Sequence, residues 1–155
     1  MSESVSADAG AERPWMDRER TADDRARLLE PHLTDSERRQ LLHSQWAAGF
    51  LGAGVPDGAV PGAGYVPPIP RLGVPGLYES DASLGVTNPR NARPGDTATA
   101  LPSGLALAAT WNADLAVEAG AAIGDEAAKK GFNVLLAGGV NLTREPRNGR
   151  NFEYL

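Results

Sequence analysis

Residues 112–137 read NADLAVEAGAAIGDEAAKKGFNVLLA, and they decide the fold class. Asn112 is a good N-cap, because its side-chain oxygen can accept a free backbone N–H, and Asp114 and Glu118 sit near the positive end of the helix that follows. Leu115, Ala119, Ile123 and Ala127 recur at helical spacing on one face, and Lys129, Lys130 and Gly131 close the helix. Asn133-Val134-Leu135-Leu136-Ala137 is then apolar without alternation, the pattern of a parallel strand covered on both faces.

Upstream, Gly76-Leu77-Tyr78-Glu79-Ser80 is a short strand candidate that ends at polar Asp81. A loop rich in Asn, Pro and Gly runs to about Thr97, and a first short helix is expected over Ser103 to Ala109. Strand, crossover helix and second strand make a β/α unit, so the fold class is α/β. Two parallel strands do not close a covered sheet, and a complete (β/α)8 barrel takes about 250 residues. The chain therefore reads as cut off after about the second strand, with apolar surface left open around Val134 to Val140.

Further upstream the character changes twice. Residues 47–70 are dense in Gly and Pro, which predicts a long irregular lead-in without a helix or central strand. Gly52-Ala53-Gly54 is no dinucleotide fingerprint, because no strand precedes it and the third glycine is misplaced. Thr21-Ala22-Asp23-Asp24 and Thr34-Asp35-Ser36-Glu37 both match the capping-box pattern and predict two short helices. Leu28, Leu29 and Leu33 give the first an apolar side, and Leu41 and Leu42 the second. Arg18, Arg20, Arg25, Arg27, Arg38 and Arg39 are interleaved with acids and read as a solvated face. Three parts are expected: a loose tail over 1–20, a helical and Gly/Pro-rich lead-in over 21–69, and an incomplete barrel portion over 70–155.

Composition bounds the function. The chain has 155 residues, 41% hydrophobic and 23% charged, a globular balance. A net charge of −5 argues against nucleic acid as a partner. With no cysteine, disulfides and thiolate metal sites are excluded, and the two histidines, His32 and His43, are too isolated to suggest a metal site. No cofactor is expected. No apolar run is long enough to span a membrane. The first residues lack the basic start and apolar core of a secretory signal, so the chain as written is expected in the cytoplasm, and in the periplasm or outside the cell if the natural start differs. The Asn141-Leu142-Thr143 sequon follows a buried strand directly and is taken as a chance occurrence.

Four stretches, in order, carry a resemblance. Pro70-Arg71-Leu72-Gly73-Val74-Pro75 is similar to a "PRLGIP" entry into a first barrel strand. Glu79-Ser80-Asp81-Ala82-Ser83-Leu84-Gly85-Val86 stands where an "SDGPxGVR"-like motif occurs. Thr99-Ala100-Leu101-Pro102 with Leu107-Ala108-Ala109-Thr110-Trp111-Asn112 resembles "TAFP…LAATWD". Residues 141–154, NLTREPRNGRNFEY, resemble "NIxRxPxxGRNFEY". Together they resemble family-3 glycoside hydrolases, the β-glucosidase family, at the opening of the catalytic TIM-like barrel.

The resemblance implies retaining hydrolysis of O-glycosyl bonds by a longer parent enzyme, with a β-linked glucoside or short oligosaccharide as substrate. It carries contact with the terminal sugar onto Asp81 and Arg150. Arg144 and Glu153 share the fourth motif and fit either a sugar contact or an ion pair behind the site. Ala82 and Ser83 replace the usual Gly-Pro, and Thr87 stands where an Arg commonly follows Gly-Val. Retaining glycosidases need two carboxylates about 5 Å apart. The family draws these from a later strand and from a second domain or distant loop, so no catalytic residue is expected within this chain. A non-catalytic remnant of the fold, acting in binding or assembly, is the alternative.

Overall fold

In the computed structural model, which describes residues 13–49 and 54–154, the expected β/α unit forms around one parallel strand pair. Three strands, β1 (Gly64–Val66), β2 (Leu77–Asp81) and β3 (Val134–Leu136), make one sheet in the order β1-β2-β3. Among the described residues four α-helices accompany them: α1 (Ala22–Leu29), α2 (Asp35–Leu41), α3 (Gly104–Ala108) and α4 (Ala113–Lys129). None of the described helices is long and apolar enough to cross a membrane.

β2 and β3 run parallel, with Glu79 opposite Val134, Ser80 opposite Leu135 and Asp81 opposite Leu136. Asn133 fixes that register from the residue before β3. Its Oδ1 accepts the Tyr78 N–H at 2.8 Å, its Nδ2 donates to the Gly76 carbonyl at 2.9 Å, and its own N–H donates to the Tyr78 carbonyl at 3.1 Å. A one-residue slip would break all three bonds and turn every side chain of the strand over.

α4 is the crossover. Asn112 caps it by accepting the Leu115 N–H at 3.1 Å, as the sequence predicts. Its inner face lays Ile123 and Ala127 against Phe132, Leu135, Tyr78, Val86 and Val60. The start of that face is less covered than the helical spacing implies, since Leu115 is exposed; Val117 elsewhere on α4, and Leu136 and Val140 on and after β3, are exposed too. β3 is thus not covered on both faces, since Val134 and Leu135 are only half-buried. Ser103 caps α3 by accepting the Ala106 N–H at 3.2 Å.

The sheet holds one strand that Gly and Pro density concealed. β1 lies in the lead-in and pairs antiparallel with β2, Gly64 facing Glu79. A Cβ at residue 64 would fall 2.2 Å from Glu79 Oε2 and 2.3 Å from Ser44 Oγ, so any larger residue there would have to displace the ends of these two side chains.

The amino-terminal portion also departs from expectation. A loose tail was expected to Arg20; residues 1–12 lie outside those described, but Pro14–Met16 form a 3-10 turn with Trp15 buried. The Trp15 indole N–H donates to the Leu72 carbonyl at 2.8 Å, and its rings pack with Ile69, Leu72, Leu28, Leu29 and Leu33. One large buried aromatic ties the segment down despite its polar neighbours. Thr34 and Glu37 complete the reciprocal capping box, whereas Thr21 meets only half of it. Asp24 has one methylene fewer than Glu and reaches the Thr21 hydroxyl rather than its N–H. The apolar side expected of α2 is not used: Leu42 is 83% exposed and Leu41 lies near the surface.

What docks α2 is charge. Arg71 donates to the Glu37 carboxylate through Nε at 2.8 Å and through Nη2, and its Nη2 also reaches the His32 carbonyl at 2.8 Å. The Arg71 bond, followed by the Thr34 N–H, holds the Glu37 carboxyl down at about 2, against an ordinary 4.5. A depressed carboxylate contributes stability above its unfolded pKa, and the contribution is lost as pH falls through the folded value. Glu37→Gln should therefore melt below the parent at neutral pH, and the gap should close between pH 4.5 and 2 when unfolding is followed by tryptophan fluorescence.

Candidate functional site

The two loops that leave the carboxyl ends of β2 and β3 meet over a cavity of about 800 Å³. Asp81, Gly85, Thr87 and Thr99 line it from the first loop, and Asn141, Arg150, Glu153 and Tyr154 from the second. In α/β barrels this is the end at which ligands bind, because every loop after a strand emerges there.

Asp81 closes β2 and is exposed toward the cavity. Its backbone is held, since the Thr87 N–H donates to the Asp81 carbonyl at 3.0 Å and the Ala82 N–H to the Leu136 carbonyl at 3.4 Å. Among the described residues its carboxylate has no hydrogen-bond or ion-pair partner, so its acceptor capacity is open to a ligand.

Arg150 lies across the cavity and is already paired. Its Nε donates to Glu153 Oε1, and its Nη2 to Glu153 Oε2 at 3.1 Å. The Glu153 hydrogen bonds raise the Arg150 pKa above its ordinary value, and Glu153 itself is the more covered of the two. Nη1 takes no part in this fork, so the guanidinium keeps donors for a ligand while its charge is balanced. Of the four residues singled out in the sequence, Asp81, Arg150 and Glu153 thus share one cavity. Arg144 does not: it is exposed and is not among the lining residues. Arg147, which the sequence reading passed over, forms a two-pronged pair with Glu145 outside the cavity. No group of three or more His, Asp or Glu that could hold a metal ion occurs among the described residues.

The wall beside Asp81 rests on Gly85. Its φ is +119°, a region that favours glycine, and a Cβ there would meet the Thr99 carbonyl oxygen at 2.2 Å. Leu84 and Leu101 are joined across the same contact, the Leu101 N–H donating to the Leu84 carbonyl at 2.9 Å. Two residues on is Thr87, whose hydroxyl is buried with no hydrogen-bond partner among the described residues. Sequence reading flagged Thr87 only as a departure from a motif; neither its place in the wall nor that of Thr99 had a signal of its own.

An α/β segment with a cavity of mixed polar and apolar lining at the carboxyl ends of parallel strands is the arrangement of a barrel enzyme's ligand face. Residues 68–154, more than half of the chain, match the glycosyl hydrolase family 3 N terminal domain, and the chain belongs to that family. It is 46% identical over 96 residues to a β-glucosidase of Bacteroides ovatus, a stretch that is 57% of this chain and 13% of that protein. It is 37% identical over 130 residues to a probable β-glucosidase M of Emericella nidulans, covering 83% of this chain and 15% of that one. In structure it is similar to β-glucosidase 3B from Thermotoga neapolitana in complex with glucose, with a TM-score of 0.68, 36% identity, and coverage of 83% of this chain and 18% of that one. The chain therefore spans less than a fifth of the length of these relatives. The fold of the family is TIM-barrel-like, and this chain is a small α/β portion of it with a three-stranded sheet.

Gly85→Ala should cost about 2 kcal/mol or more, combining an unfavourable φ with a clash against backbone. The disturbance should be local: amide hydrogen exchange at Leu101 should accelerate strongly, while that at Tyr78, in the Asn133 clamp, should stay close to the parent rate.

Proposed function

We propose that this chain acts as the opening portion of a β-glucosidase-like barrel, reaching to about the second parallel strand, and supplies part of the subsite for a terminal β-linked glucose. The observation that carries the reading is the meeting of Asp81 and Arg150 across one cavity at the carboxyl ends of the paired strands. A carboxylate without an internal partner accepts two neighbouring sugar hydroxyls, and a guanidinium fork donates to a third; charge-assisted bonds of this kind are the strong ones. Glu153 holds Arg150 in place and keeps its charge from stranding in the empty subsite. Arg144 is assigned no sugar contact. The likeness of this chain to a protein whose structure contains glucose supports the same reading.

The chemistry itself requires a nucleophile and a general acid/base on opposite sides of the glycosidic bond. Among the described residues no pair of carboxylates lines the cavity in a way that fits these roles: Asp81 is assigned to the ring hydroxyls and Glu153 is engaged with Arg150. The reactive pair is assigned to parts of a longer protein, since this chain spans only 13% and 15% of the length of two β-glucosidase relatives. The 155-residue polypeptide by itself is accordingly expected to release no chromophore from an aryl β-glucoside above a mock preparation.

In the complete enzyme the Asp81 contacts should tighten as the ring distorts toward the oxocarbenium-like transition state, so that their loss lowers turnover as well as binding. Asp81→Ala should reduce kcat/KM at least a hundredfold, about 3 kcal/mol of transition-state stabilisation. Asp114→Ala, at the exposed start of α4, should cost under about 1 kcal/mol of stability and leave kcat/KM nearly unchanged. Equal harmlessness of the two substitutions in steady-state kinetics would overturn the assignment.

A further inference from the structure

Behind the cavity wall lies a cluster of charged side chains that the sugar-binding reading does not use. Arg93 is only 12% exposed, and its guanidinium serves three partners at once. Nε donates to Asp96 Oδ2 at 2.7 Å, Nη2 to the Thr87 carbonyl at 2.8 Å, and Nη1 to the Pro61 carbonyl in the lead-in. The group also sits over the Phe132 ring, 5.0 Å from its centroid. Asp96 in turn takes the Lys130 ammonium, which donates as well to the Thr97 carbonyl at 2.6 Å and lies 3.5 Å from Glu126. Glu126 completes the circuit by accepting the Thr99 N–H at 3.1 Å.

Two cations and two carboxylates balance one another, and every member binds backbone of the loop that walls the cavity or a group that does. The shortest route through the cluster ends on the sugar-contact candidate. Arg93 holds the Thr87 carbonyl, and the N–H of that same residue holds the Asp81 carbonyl. At the other end of the loop, Lys130 and Glu126 hold Thr97 and Thr99, the latter being the residue against which Gly85 packs. Lysine in place of Arg93 could keep one of the three contacts but not all of them, because an ammonium is a point donor and a guanidinium a planar fork.

We propose that Arg93 is a positioning residue for the sugar subsite, acting on Asp81 through the backbone on either side of the Thr87 Cα, with Asp96, Lys130 and Glu126 as its support. The inference rests on the reading of Asp81 as a sugar contact, and the test separates the two. In the complete enzyme, with an aryl β-glucoside as substrate, Arg93→Lys should lower kcat/KM about tenfold in the parent but less than threefold in an Asp81→Asn background, because coupled residues are not additive. Equal loss in both backgrounds would overturn the proposal. Arg71→Lys breaks a comparable Arg clamp remote from the cavity and should lower the melting temperature with kcat/KM within twofold of the parent. If Arg93→Lys behaves in that way, the network is merely structural and the proposal falls. Should Arg93→Lys fail to fold, Lys130→Gln, which releases one end of the loop, should show the same dependence on Asp81 with a smaller loss. Harmlessness of Asp81→Asn alone would instead overturn the sugar-contact reading on which the inference stands.

Discussion

The parallel pairing of Leu77–Asp81 with Val134–Leu136 is the constraint on which the rest depends. It joins residues more than fifty positions apart, and it does so over only a few ladder bonds, so the three hydrogen bonds of Asn133 carry much of the specification. Because the strands are parallel, both chain exits lie at the same end of the sheet, and the loops that follow must share the space above it. Asp81 and Arg150 come from different loops and meet for that reason alone.

A second level of organisation fixes the loops themselves. Short strands and a three-stranded sheet bury little apolar area, and several large side chains stay exposed on α4, β3 and the closing segment. Backbone-directed polar contacts do what packing would do elsewhere. Arg71 and Glu37 join the Pro70–Leu72 turn to α2, Trp15 anchors the amino-terminal turn through its N–H, and Arg93 with Lys130 spans the cavity wall. Each of these guanidinium or ammonium groups reaches at least one carbonyl, so each satisfies irregular backbone that has no strand or helix to pair with.

Much of this was legible in the residues. Asn112, Ser103 and Thr34 announce their helices because a cap is a local matter, decided within four residues. The apolar run at Val134–Leu136 and the acid after Leu77–Ser80 announced the strand pair, and ordered motifs pointed to Asp81 and Arg150. What was hidden depends on distant partners. β1 could not be seen among glycines, because it is a strand only by virtue of Glu79 across from it. Trp15 looked like part of a polar tail until Leu72 supplied its acceptor, and Leu42 looked like core although no element packs on it. Arg144 and Glu153 stood in one motif, yet only the fold separates the exposed Arg144 from the Glu153 that braces Arg150.

Asp81 and Arg150 are proposed to receive a terminal glucose together. A crystal structure of the complete enzyme with glucose bound tests it most directly. The account predicts two sugar hydroxyls within hydrogen-bond distance of the Asp81 carboxylate and one at the Arg150 guanidinium, with the Glu153 pair intact. Glucose bound in the enzyme with both side chains turned to solvent, or with Arg150 held entirely by protein groups, would contradict it.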